Sequence, residues 1–156
     1  MSKRWYQDNR RDAWRRIARS KGYRTRSAYK LKQIQERFGI IRRGDAVLDV
    51  GCHPGGWAQV AVEEVGEEGL VIGVDLLATS PVDGASIIIG DITEEEPAGN
   101  LIESAIEHFG QVDILVNNVG GGSPGTVVEI AEDDWDRVVQ INLKTAMQGT
   151  KAAIPA

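Results

Sequence analysis

The sequence has one cysteine, Cys52, and only two histidines among its 156 residues. A single cysteine cannot form a disulfide within the chain, and these few scattered residues make no convincing metal-ligand set. No apolar stretch follows the basic start, as it would in a secretory signal. We therefore expect no metal site and a reducing, cytoplasmic location.

Long apolar runs are also missing. The longest stretch without a charged residue, Ile114 to Val128, contains two asparagines and four glycines. It is shorter and more polar than the roughly 18 apolar residues that indicate a membrane-spanning helix. The sequence therefore predicts a protein with no membrane segment.

Acidic residues are scarce in the first 43 positions, which hold 15 of the 18 Lys and Arg residues but only three of the 23 acids. This segment carries a net charge of +12, whereas residues 44–156 carry −17. A basic segment joined to an acidic body suggests that the former contacts a polyanion such as RNA. We predict a basic helical arm over residues 1–43 and a cofactor-binding domain over residues 44–156.

From Gly44 onward, short β-branched runs alternate with longer stretches of helical spacing, which is typical of a parallel sheet covered by helices. The predicted strands are Ala46–Val50, Leu70–Val74, Ala85–Ile89 and Val112–Val116. The helices predicted in this part are Gly56–Val65, Asn100–Phe109 and Glu132 to about Ala153. We predict an α/β fold, a Rossmann-like three-layer sandwich with a parallel four-stranded sheet in the order 3-2-1-4.

Two further helices are predicted in the basic arm, at about Gln7–Ser20 and Ser27–Phe38, the second ending at Gly39. The spacing of the apolar residues in the second helix predicts that Leu31 and Phe38 face the sheet.

A glycine-rich turn connects the first predicted strand to the helix that begins at Gly56, with the sequence VLDVGCHPGGW over residues 47–57. Open α/β sheets bind nucleotides at such turns. Glycine permits positive φ and close backbone approach, and the free N–H groups of the helix favour polar ligands. The turn alone is a weak signal, because a glycine-rich turn without a ligand looks the same.

Two acids strengthen that signal, because Asp75 and Asp91 stand at the ends of the next two predicted strands. Asp75 is placed to accept hydrogen bonds from ribose hydroxyls, and Asp91 to contact an adenine edge. A dinucleotide is the rival ligand, but Trp57 occupies the position where a third glycine would let a pyrophosphate approach. These features favour S-adenosylmethionine and leave NAD(P) as the alternative.

Several motifs resemble those of FtsJ-type ribosomal RNA 2′-O-methyltransferases over about residues 4–93. They are GYRTRSAYKL at 22–31, FGI at 38–40, GD at 44–45, LDVG at 48–51, PGGW at 54–57, GVDL at 73–76 and GDIT at 90–93. The resemblance implies S-adenosylmethionine as cofactor and methyl transfer to a ribose 2′-hydroxyl of RNA. His53 departs from the small residue expected in this loop.

The resemblance also implies roles for individual residues. Lys30 is the implied catalytic residue, and Arg24, Arg26 and Lys30 are the implied RNA contacts. The implied cofactor contacts are Gly51, Pro54, Gly55, Gly56, Trp57, Asp75, Leu76, Asp91, Ile92 and Asn118.

The last third of the chain, about residues 100–155, resembles a short-chain dehydrogenase/reductase instead. The resemblance is carried by FGQVDILVNNVG at 109–120 and by Asn142 in an Asn-Leu pair. We interpret the chain as a chimera joined near residues 91–100. The alternative is one divergent methyltransferase whose last third merely looks like a dehydrogenase.

The catalytic set implied by the first resemblance is incomplete. An acid is expected at or beside Asn118, and no residue matches the second lysine or the glutamate of that set. Asparagine cannot supply the negative charge that orients a lysine ammonium, so we expect cofactor binding with little turnover.

The small and apolar residues of the helix at 132–153 further suggest a homodimer.

Overall fold

A computed structural model of the protein describes residues 13–90, 103, 106–107, 115 and 117–154. The chain forms two compact units, Met1–Ile89 and Gly90–Ala156. This division differs from the predicted boundary after residue 43, because the basic helices share a hydrophobic core with the helix that packs on the sheet.

The first unit contains a three-stranded parallel sheet. Its strands are β1 (Ala46–Val50), β2 (Leu70–Asp75) and β3 (Ala85–Ile89). β2 lies in the centre and pairs with both neighbours, with Ala46 opposite Leu70 and Val71 opposite Ala85. This is the predicted order for these three strands. The predicted fourth strand, Val112–Val116, lies outside the described residues except for Leu115, as does most of the helix predicted at Asn100–Phe109.

Three helices complete the described part of this unit: α1 (Ala13–Ser20), α2 (Ala28–Phe38) and α3 (Gly56–Val65). The predicted bounds of α2 are confirmed to within one residue, and the predicted start of α1 at Gln7 lies outside the described residues. Gly39 ends α2 with φ +57°, a left-handed conformation that favours glycine, and its N–H donates to Gln35 O.

The core of this unit is built around α3, which buries residues on two sides. On one side, Val60 joins a cluster with Ala18, Tyr23, Ala28 and Leu31 from the basic segment. On the other side, a second cluster is formed by Ala58, Ala61, Val65, Val71 and Val82. The helix α3 therefore packs against the sheet on one side and against the basic helices on the other.

The prediction that Phe38 faces the sheet is wrong. Its side chain is 63% exposed, and the Arg37 guanidinium lies 5.0 Å from the centre of its ring. Leu31 is buried, but it packs with Val60 of α3. The helical periodicity identified the apolar face of α2, but this face packs against another helix.

A polar contact reinforces the packing of α2 on α3. The Tyr23 hydroxyl lies 2.7 Å from both carboxylate oxygens of Glu63, and Lys32 Nζ lies 2.8 Å from Glu63 Oε2. The Tyr23 ring itself is buried and lies edge-on to Tyr29 at 5.8 Å between ring centres. These contacts join the basic segment to α3 in addition to the apolar cluster, of which the Tyr23 ring is a member.

The second unit is described mainly by its last helical segment. It consists of α4 (Glu132–Val139), a π-helical segment Gln140–Lys144, and α5 (Thr145–Ala153), which follow one another without a break. The single helix predicted at 132–153 is thus present with a widened turn in its middle. Trp135, Leu143 and Met147 on this segment are exposed.

Asn142 lies in the widened turn and binds a glycine-rich loop. Its Nδ2 donates to Gly121 O and to Val138 O, each at 2.7 Å, and its Oδ1 accepts from Gly121 N–H at 3.3 Å. The Asn142 amide bonds the carbonyl of Val138, four residues earlier, and so competes with the backbone N–H groups of the helix for that carbonyl. This competition lies at the widened turn. Nearby, Asn117 Nδ2 donates to Thr150 Oγ1 at 3.0 Å.

In the part of the chain that the structure describes, no helix is both long and apolar enough to cross a membrane.

Replacing Tyr23, which lies between α1 and α2, by phenylalanine tests how much its hydroxyl contributes to the contact of the basic segment with α3. We expect a loss of about 0.5 to 1.5 kcal/mol in the free energy of unfolding in urea, because the ring stays in place while its bond to Glu63 is lost. Tyr29→Phe is the matched control, since the structure assigns the Tyr29 hydroxyl no hydrogen bond to another described residue. Equal losses in the two variants would contradict this account.

Candidate functional site

The glycine-rich loop after β1 is held against the end of β2. The N–H groups of Gly51 and Cys52 both donate to Val74 O, at 2.8 and 3.1 Å. Gly51 and Gly55 adopt φ of +76° and +100°, which side chains other than glycine rarely tolerate. The loop then enters α3 at Gly56, and the residue at the N-cap, Gly55, has no side chain with which to cap the helix.

Asp75, at the end of β2, faces this loop as predicted. Its Oδ2 accepts the backbone N–H of His53 at 2.8 Å, and its Oδ1 accepts the N–H of Leu77 at the same distance. Each carboxylate oxygen keeps a second lone pair for another donor. Asp75 therefore joins the loop of residues 51–55 to the loop after β2, and it can still accept hydrogen bonds from a ligand.

Asp49 is a second carboxylate in this region. It belongs to the LDVG motif at 48–51 but was not among the predicted site residues. It accepts a backbone hydrogen bond from Ala58 in the first turn of α3. Its Oδ2 is buried and has no hydrogen-bond partner among the described residues. Burial, with a smaller contribution from the charge of Asp75, raises the pKa of Asp49 to about 6. An acid within an otherwise apolar strand was the signal that could have identified it.

Trp57 occupies the first turn of α3 and is only partly buried. Its Nε1 donates to Ser27 O at 2.9 Å, and the residue packs against the cluster that contains Leu31. The side chain thus connects α3 to the start of α2. Its predicted contact with a cofactor remains a prediction.

The two glycines that precede and begin α3 leave room for neighbouring residues from the basic segment. A Cβ on Gly55 would lie 2.9 Å from Arg24 Nη1 and 2.8 Å from Val82 Cγ2. A Cβ on Gly56 would collide with the Thr25 hydroxyl. The segment at residues 24–25 therefore packs directly against the loop.

Arg24 donates from its guanidinium to three backbone carbonyls in this region. Nη1 lies 3.1 Å from Pro54 O and 2.6 Å from Ser80 O, and Nη2 donates to Pro81 O. Three of the five guanidinium N–H donors of Arg24 thus bind within the protein, and its predicted contact with RNA remains a prediction. Arg26 and Lys30, the other predicted RNA contacts, are exposed.

The remaining predicted residues are placed as follows. Pro54 lies in the loop, and Leu76 is half-exposed directly after Asp75. Asp91 and Ile92 lie outside the described residues. Asn118 is exposed in the second unit. The described residues contain no group of three or more His, Cys, Asp or Glu that could hold a metal ion.

A family model described as FtsJ-like methyltransferase matches residues 23–145. The chain belongs to the FtsJ-like methyltransferase family. The match contains the glycine loop, both carboxylates and Lys30, and it continues through the segment that resembles a dehydrogenase.

Curated relatives of this family share substantial identity with the chain. Ribosomal RNA large subunit methyltransferase E of Methanothermobacter thermautotrophicus is 39% identical over 127 residues, covering 80% of this chain and 59% of that protein. The protein of the same name from Methanococcus aeolicus is 43% identical over 150 residues, covering 95% of this chain and 53% of the relative. The chain thus spans little more than half the length of these family members.

Similar solved structures include short-chain dehydrogenases. A ligand-free aldohexose dehydrogenase from Thermoplasma acidophilum superposes with a TM-score of 0.61 at 24% identity, covering 73% of this chain and 44% of that one. A putative short-chain dehydrogenase/reductase from Burkholderia xenovorans gives a TM-score of 0.56 at 28% identity, covering 72% and 51%. The FtsJ-like chain therefore has a Rossmann-like α/β fold of the kind these dehydrogenases share.

The buried carboxyl of Asp49 makes a specific prediction for stability against pH. Its pKa in the folded protein, about 6, lies above the ordinary value near 4, so ionisation is harder in the folded state. Its contribution therefore lowers the free energy of unfolding as pH rises from about 4 to 6, by on the order of 1 to 3 kcal/mol. Asp49→Asn removes this fall, which urea unfolding at pH 4, 5, 6 and 7 measures.

The matched control is Asp83→Asn, at an exposed aspartate before β3. It should keep the pH dependence of the unaltered protein. An Asp49→Asn variant whose stability still falls over the same pH range would show that burial of Asp49 is not the cause.

Proposed function

We propose that the glycine loop and the carboxylates at the ends of β1 and β2 bind S-adenosylmethionine. Two observations carry this proposal: Asp75 binds the glycine loop at the His53 N–H, and the buried Asp49 Oδ2 has no hydrogen-bond partner among the described residues. A region with two carboxylates favours a ligand with a positive sulfonium and ammonium. It disfavours the negatively charged pyrophosphate of a dinucleotide.

The residues present fit such a cofactor. Asp49 Oδ2 is buried without a partner among the described residues, so a donor from a ligand would satisfy it. Asp75 keeps lone pairs for ribose hydroxyls, and Gly51 and Gly55 allow the ligand to approach the backbone. When bound, the cofactor supplies an activated methyl group on its sulfonium sulfur.

We further propose that the substrate is the ribose 2′-hydroxyl of ribosomal RNA. The two relatives described above are ribosomal RNA methyltransferases, and residues 1–43 carry a net charge of +12. Arg26 and Lys30 are exposed and would contact phosphates. The Lys30 ammonium would stabilise negative charge that develops on the attacking ribose oxygen.

Methyl transfer by this chain is proposed to be weak, because Asn118 stands where the resemblance implies an acid. A neutral amide cannot orient a lysine ammonium by charge or accept a proton as a carboxylate does. Cofactor binding does not require that charge, so binding and transfer are separable in this protein.

An NAD(P)-binding role is the alternative, as is a chimera joined near residues 91–100. The similar dehydrogenase structures and the bonds of Asn142 to the glycine-rich loop favour them. The family match that runs through residue 145 favours a single divergent methyltransferase.

A homodimer through residues 132–153 remains a proposal, supported by the exposure of Trp135, Leu143 and Met147.

Calorimetry with S-adenosylhomocysteine tests the proposed cofactor. We expect the unaltered chain to bind it and Asp75→Ala to weaken binding at least about tenfold, since ligand and loop contacts are lost together. Asp83→Ala is the control for loss of an exposed acid and should bind normally. Binding of NAD instead of S-adenosylhomocysteine would reverse the assignment.

Transfer of a radiolabelled methyl group to large-subunit ribosomal RNA tests the role of Asn118. The unaltered chain should show little transfer, and Asn118→Asp should raise it only a few-fold, since it supplies the carboxylate but not the second lysine or the glutamate of the implied set. Gln140→Glu, a neutral-to-acidic change at an exposed position of the second unit, is the control for added negative charge and should leave transfer unchanged. Efficient transfer by the unaltered chain would disprove the proposed deficiency.

A further inference from the structure

The two loops that meet at Asp75 are also joined by a residue from outside the sheet. Arg24 donates to Pro54 O in the loop after β1, and to Ser80 O and Pro81 O in the loop after β2. We propose that Arg24 is a positioning residue that holds these two loops together in the ligand-free protein. Its primary role is then to shape the cofactor cleft, and RNA contact falls to Arg26 and Lys30.

The backbone of Arg24 is fixed independently of its side chain. Its N–H donates to Gln59 Oε1 at 3.0 Å, and Gln59 Nε2 donates back to Gly22 O at the same distance. Gln59 lies in α3, so the start of the Arg24 side chain is tied to the helix that follows the first loop. The guanidinium thus extends from a defined point toward both loops.

The space that the guanidinium occupies is provided by Gly55. A Cβ at that position would lie 2.9 Å from Arg24 Nη1, a distance at which one of the two groups has to move. The same Cβ would lie 2.8 Å from Val82, which is buried within the second loop. Arg24 and Val82 therefore fill the space beside Gly55 together.

The chemistry of the contact suits arginine in particular. Three carbonyl oxygens from two loops are reached by donors that project from one rigid plane. A lysine ammonium presents its donors from a single atom and cannot span these acceptors in the same way. Because the acceptors are neutral, the contact does not need a bound anion.

A second contact between the loops supports this arrangement. His53 Nδ1 lies 3.1 Å from Thr79 Oγ1, and the backbone N–H of His53 donates to Asp75. Holding the loops before the ligand arrives lowers the ordering cost of binding. The consequence for the cofactor rests on the proposed function, whereas the restraint on the loops is a property of the free protein.

Amide hydrogen exchange in the ligand-free chain tests the restraint directly. Arg24→Ala and Arg24→Lys should each speed exchange at least about tenfold at hydrogen-bonded amides of the two loops, those of His53, Gly55 and Leu77, with β1 and β2 unchanged as the control for folding. Arg26→Ala removes a nearby cation and should leave the exchange of both loops as it is. Unchanged loop exchange in Arg24→Lys, which retains the charge, would overturn the proposal even if Arg24→Ala fails to fold.

Binding measurements on the same variants separate loop positioning from RNA contact. Arg24→Ala, which removes the charge, should weaken S-adenosylhomocysteine binding at least about tenfold and leave RNA affinity and its salt dependence unchanged. Arg26→Ala should show the opposite pattern. Weaker RNA binding with normal S-adenosylhomocysteine binding in Arg24→Ala would make Arg24 a phosphate contact. If the unaltered chain binds no S-adenosylhomocysteine, the cofactor assignment fails while the exchange experiment still decides the restraint.

Discussion

The packing of α3 between the sheet and the basic helices is the interaction on which the described part of the first unit depends. Ala58, Ala61 and Val65 bury one side of this helix against the sheet, and Val60 buries the other side against α1 and α2. The basic segment is for this reason part of the same body as β1 to β3. The charge difference between the two ends of the chain therefore does not mark a boundary in the fold.

In the proposed cofactor site, both the backbone of the glycine loop and the two carboxylates Asp49 and Asp75 are arranged before a ligand binds. The backbone is arranged by positive-φ glycines and by the bonds of Asp75 to His53 and Leu77. Asp49 is buried, the negative charge of Asp75 raises its pKa further, and its Oδ2 has no hydrogen-bond partner among the described residues. Such an arrangement costs stability in the free protein, and a cationic ligand would recover part of that energy.

Local patterns predicted much of this structure, because the bounds of strands and helices follow from short-range chemistry. The three strands and α3 begin where predicted, and Asp75 faces the glycine loop. The packing partner of α2 was not predicted correctly, since periodicity identifies an apolar face and not what covers it. The role of Arg24 was also missed because its partner Pro54 lies 30 positions away, and that of Asp49 because it depends on burial.

The contacts of Gly55 and Gly56 with residues 24 and 25 also have a consequence for how this sequence can diverge. A larger residue at Gly56 requires that Thr25 shrink or move in the same step, whereas the positive φ of Gly55 disfavours any other residue there even if Arg24 moves. Substitutions at Gly56 and at Thr25, about thirty positions apart in the sequence, are therefore expected to occur together in natural variants of this protein.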